Sequence, residues 1–94
     1  MSIFAVTYTY GAPEEQLATL RTEHRDYLAN LPELLISGPA SDSREAVLVF
    51  RADSREQVEA LVAADPFVAA GFVGEHVVRD WKPILGSLAG HFTA

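Results

Sequence analysis

The 94-residue chain contains no cysteine. That excludes a disulfide framework, a thiolate nucleophile and a cysteine-ligated metal. It also fits a reducing compartment, so a cytoplasmic location is the expectation. Basic residues are scarce as well: seven Lys and Arg stand against 13 Asp and Glu, giving a net charge of −6. Nucleic acid and anionic membranes attract basic surface, so neither is expected as a partner. The same balance does not favour an anionic substrate. No stretch approaches the roughly 20 apolar residues of a membrane span. No Gly-rich phosphate loop precedes a helix, and no nucleophile elbow occurs. The three histidines, His24, His76 and His91, lack the short spacing of metal ligands, so neither a metal nor a cofactor is expected.

What the chain does hold is apolar surface. Its composition is 49% hydrophobic, yet a chain this short buries only roughly 60–65% of the surface it exposes unfolded. A second copy is the expected cover, which makes a homodimer the expected state. The opening MSIFAVTYTY has no basic segment before its apolar run and carries Thr and Tyr through it, which reads as a strand, not a signal peptide.

Within that strand Phe4, Val6, Tyr8 and Tyr10 share one face and Ile3, Ala5, Thr7 and Thr9 the other. Pro13-Glu14-Glu15 suits a first helical turn, with negative charge at the positive end of the dipole. Leu17, Leu20, His24, Tyr27, Leu28 and Leu31 then recur at spacings of three and four, one stripe of a helix of about 18 residues that Pro32 ends. Leu34 to Ile36 form a second strand, stopped by Ser37-Gly38-Pro39. Residues 45–52 are a third strand. Ser54 to Gln57 matches a capping box for a second helix carrying Val58, Leu61 and Val62. Asp65-Pro66 interrupts that helix, Phe67 to Ala70 make a short turn closed by Gly71, and residues 75–82 are a fourth strand. The Gly-spaced tail, 83–94, is too apolar to float free and should dock on the domain or on a neighbour. The order is βαββαβ, a ferredoxin-like α+β domain over residues 1–94 with its core at about 2–82. Such an order gives a four-stranded antiparallel sheet with both helices on one face.

His24 is the polar member of the first helix's buried stripe. An inward histidine is most often core filling, and burial keeps the ring neutral, the state a general base needs. Asp65 could fix its tautomer, yet Asp before Pro is also explained as an N-cap with no chemistry. Ser37-Gly38-Pro39 reads either as a turn or as a site wall that a ligand can approach closely. Arg21, one turn before His24, could grip an anionic or phenolic oxygen, or pair with Glu14 or Asp26. Tyr8, Phe67 and Trp81 read as core aromatics that could also line a pocket for a ring.

Taken together, Arg21-x-x-His24-x-x-Tyr27-Leu28, Ser37-Gly38-Pro39, Asp65-Pro66-Phe67 and Ala70-Gly71 resemble the YCII-related (YciI-like) proteins. The resemblance runs from the first strand to Trp81. Where such proteins usually have a Gly between first helix and second strand, this chain has Asn30-Leu31-Pro32-Glu33. The resemblance implies a dimeric α+β barrel, related in architecture to muconolactone isomerase-like proteins and ferredoxin-like monooxygenases. It also implies an active site on a His and an Asp, which fall on His24 and Asp65. Most members have no assigned reaction; dehydrochlorinase-type chemistry on a hydroxylated ring is associated with the family. The expectation is therefore a cofactor-free enzyme using acid–base chemistry, elimination or isomerisation, on a small hydroxylated aromatic molecule. His24 and Asp65 would be catalytic, and Arg21, Ser37, Gly38, Pro39 and Phe67 would bind substrate. The alternative is a non-catalytic ligand-binding or oligomeric accessory module.

Overall fold

The computed structural model describes residues 1–92. Alternating apolar residues build β1 (Ser2–Tyr10), the helix α1 (Glu14–Ala29) follows, and β2 (Leu34–Pro39) and β3 (Glu45–Ala52) form a hairpin. Then come α2 (Arg55–Ala63), a one-turn helix α3 (Pro66–Ala69), β4 (Val73–Trp81) and a 3₁₀ turn at Ala89–Phe92. The four strands make one antiparallel sheet in the order β2-β3-β1-β4. This is the ferredoxin-like α+β arrangement.

The inner faces of β1 and β3 supply Phe4, Val6, Tyr8, Leu48 and Phe50, which pack with Leu28 of α1 and with Val58 and Val62 of α2 into the main core. A smaller cluster of Ala12, Leu17 and Phe67 lies where α1 meets α3. Burying each large apolar side chain stabilises by about 1.5–3 kcal/mol, so these two clusters fix how the helices seat on the sheet.

Three local features differ from the sequence expectation. Ser37-Gly38-Pro39 does not stop β2 but continues it, with Pro39 opposite Ala46. The reason is position: β2 is an edge strand, and a proline there forfeits no ladder bond on the open side. The capping box at α2 is half formed. Ser54 Oγ accepts from the Gln57 amide at 3.1 Å, but Gln57 Oε1 accepts from the Asp53 amide at 2.8 Å, one residue earlier than the motif requires. Finally, α1 stops at Ala29, short of Leu31; Asn30 Nδ2 donates to the Asp26 carbonyl at 2.8 Å and closes the last turn before Pro32.

Gly71 takes φ +78°, the left-handed conformation that turns the chain from α3 toward β4. In the loop after α1, Glu33 Oε1 is buried with no hydrogen-bond partner among the described residues. The tail lies against one end of the outer sheet face: Arg51 donates to the His91 carbonyl at 3.1 Å, and the Trp81 and Phe92 rings sit 6.3 Å apart. Residues 93 and 94 of the expected docking tail lie outside the described residues. No helix among the described residues is long and apolar enough to cross a membrane.

Candidate active site

Three elements converge on one carboxylate. Asp65 ends the α2 segment and caps α3: its Oδ1 accepts from the Phe67 amide at 3.0 Å, closing the first turn. The side chain has no solvent exposure. His24, carried inward by the helical spacing of α1, brings Nδ1 to 2.7 Å from the same Oδ1. Tyr8, on the inner face of β1, donates its hydroxyl to Oδ2 at 2.9 Å. A buried carboxylate receiving three donors has the desolvation of its charge offset by hydrogen bonds.

The bond pattern fixes the histidine tautomer. A carboxylate that accepts from Phe67 and Tyr8 also accepts from Nδ1–H, so the neutral ring carries its proton on Nδ1. Nε2 then bears the lone pair and has no partner among the described residues. The Phe67 ring stacks on the imidazole with centroids 3.9 Å apart and planes 5° apart, holding it from the side. Burial, then the charge and hydrogen bond of Asp65, push the Tyr8 phenol well above its ordinary pKa. The Tyr10 phenol shifts upward for the same leading causes, burial first and Asp65 second. Tyr8 therefore acts as a donor, not as an acid.

His24 forms part of the wall of a cavity of about 610 Å³ between α1 and the β2–β3 hairpin. That lies in the range of small-molecule sites. Arg21, Ser37, Gly38, Pro39 and Phe67 line the same cavity. Arg21 is paired with Glu14, one of the two partners the sequence offered it. Asp65 stands behind His24 and does not reach the wall. Trp81 lies elsewhere, on the outer sheet face against Phe92. Tyr8 was legible as a core aromatic but not as a partner of Asp65. The available signal was chemical: a buried tyrosine hydroxyl needs an acceptor. Arg25, Arg44 and Tyr10 also line the cavity and had no sequence signal of their own. Among the described residues no group of three or more His, Cys, Asp or Glu is placed to hold a metal ion.

The YCII-related domain matches residues 1–82. The chain belongs to this family. Within it, the uncharacterised protein YjpA of Bacillus subtilis (strain 168) is 33% identical over 87 residues, covering 80% of this chain and 95% of that protein. Among solved structures, the 5-chloro-2-hydroxyhydroquinone dehydrochlorinase TftG of Burkholderia phenoliruptrix AC1100, in complex with 2,5-dihydroxybenzoquinone, superposes with a TM-score of 0.74. It is 24% identical, with 85% of this chain and 93% of that chain covered. At that identity the likeness speaks for the fold alone.

Proposed function

We propose that this YCII-related protein is a cofactor-independent enzyme that moves protons on a small hydroxylated aromatic molecule, by elimination or isomerisation. The observation that carries the reading is the 2.7 Å His24–Asp65 contact at the wall of the 610 Å³ cavity, with Nε2 left without a partner among the described residues. In this reading Nε2 takes a proton from a substrate hydroxyl and returns it to a ring carbon. Asp65 holds the ring orientation and stabilises the imidazolium that forms. Arg21 and the Ser37–Pro39 edge position the substrate against Phe67.

The family and the shared architecture support the choice of substrate class. For a chlorinated trihydroxybenzene, the first step removes a phenolic proton and the electron pair moves into the ring. The carbon bearing the halogen is protonated. A second hydroxyl proton then leaves and the C–Cl bond breaks, giving a hydroxybenzoquinone and HCl. Atoms and electrons balance with no oxidant or reductant consumed. General acid–base catalysis of this kind is worth typically 10²–10⁴-fold, and positioning in the cavity adds to it.

The proposal extends to assembly: a second copy covers the outer sheet face. Ile36, Val47 and Trp81 on that face keep 57%, 48% and 42% of their exposure, and Leu85 in the tail keeps 93%. Those same surfaces favour the second reading, an oligomeric binding module without turnover. Chloride release from chlorinated trihydroxybenzenes, and ring deuterium uptake by trihydroxybenzenes in D₂O, separate the two. The enzyme reading expects both to be accelerated by the wild type and to fall at least about 100-fold in His24→Asn. Turnover that survives that substitution removes His24 from the chemistry. Binding without any turnover favours the module.

A further inference from the structure

The chain is acidic, yet its cations are not spread evenly. Three of the seven Lys and Arg residues, Arg21, Arg25 and Arg44, line the cavity. Of the 13 acidic residues only Glu14 and Glu45 join them there. Glu14 is committed to Arg21. Arg44 donates to the neutral Ala12 carbonyl and makes no ion pair among the described residues. Arg25 makes no ion pair or hydrogen bond among the described residues. Asp65 sits behind His24, off the cavity wall, with both oxygens taken by donors.

Arg21 and Arg25 are one turn apart on α1, so their side chains leave the helix as neighbours. Arg44 approaches from the hairpin side of the same opening. Below this rim the wall is apolar, with Leu17, Leu28, Leu48 and Phe67. A cationic rim over an apolar wall selects a molecule with an anionic group at one end and a ring at the other.

We propose that the cavity takes an aromatic carboxylate, with the carboxylate held by Arg25 beside Arg21 and the ring against Leu28 and Phe67. A guanidinium fork matches a carboxylate in two parallel hydrogen bonds, which a lysine or a lone hydroxyl donor cannot supply. The proposal rests on the cavity being the substrate site and names the substrate's second functional group.

The test compares 2,5-dihydroxybenzoate with 2,5-dihydroxybenzamide, alike in shape and different in charge. Binding of each is measured by calorimetry to the wild type, Arg25→Gln and His24→Asn. Arg25 is exposed, so its replacement leaves the fold intact. The wild type is expected to favour the benzoate by roughly tenfold or more, as a hydrogen-bonded charge implies. Arg25→Gln should lose that preference and leave benzamide binding unchanged. His24→Asn should keep it, so a failure of the catalytic assignment does not carry this proposal down with it. Equal affinity of the wild type for both ligands, no binding of either, or a preference that survives Arg25→Gln would each overturn it.

Discussion

Asp65 is the charged side chain with no solvent exposure, and the Tyr8 hydroxyl, the His24 ring and the Phe67 amide converge on its two oxygens. Asp65→Asn keeps the volume but replaces one acceptor by a donor, so one neighbour loses its bond. The expected loss of stability is about 1–3 kcal/mol, read from urea unfolding. Tyr8 predicts a pH dependence of definite sign. Its folded pKa lies well above the ordinary 10.0, because burial and then Asp65 oppose the phenolate. The folded state therefore holds this proton more tightly than the unfolded chain does. The stabilisation is complete below about pH 10 and is lost as pH rises beyond it. Tyr10 and Tyr27 shift in the same direction, chiefly through burial. Tyr8→Phe should lower stability at pH 7 yet flatten the alkaline decline, seen in urea midpoints between pH 7 and 11. That His24 points inward was legible from its three-and-four spacing to Leu20, Tyr27 and Leu28. That Tyr8 reaches Asp65 was not, because 57 residues separate them and only the packed sheet brings them together.

At the scale of elements, local chemistry set most boundaries. β3 spans residues 45–52, as alternation indicates, and Asp65-Pro66 opens α3 through a side-chain cap. One misjudged end was that of β2, where Ser-Gly-Pro reads as a stop until the strand is known to lie at the sheet edge. Edge position is a tertiary fact with no local mark. The half-formed capping box makes a quantitative point. Ser54 Oγ still serves the Gln57 amide, so Ser54→Ala should cost about 1 kcal/mol. Gln57→Ala, which frees only the exposed Asp53 amide, should cost less. Thermal unfolding of the two variants side by side measures the difference.

Over the whole molecule, charge and apolar surface are both unevenly placed. A net charge of −6 argued against an anionic ligand, but an average over the chain says nothing of where the cations lie. The cavity gathers Arg21 and Arg25 from α1 and Arg44 from the β2–β3 hairpin. Apolar residues left exposed on the outer sheet face and in the tail predict a dimer mass in light scattering at micromolar protein, with Val47→Glu shifting it toward monomer. A monomeric mass for the wild type would contradict that assembly. The central claim, however, is the orientation of one imidazole. With three histidines in the chain, a long-range ¹H–¹⁵N spectrum can be assigned by single substitutions and read at a pH where the His24 ring is neutral. The structure requires the proton on Nδ1 and a lone pair on Nε2, with that preference lost in Asp65→Ala, which leaves no acceptor for Nδ1–H. A protonated Nε2 in the wild type would leave the cavity without its base and contradict the account.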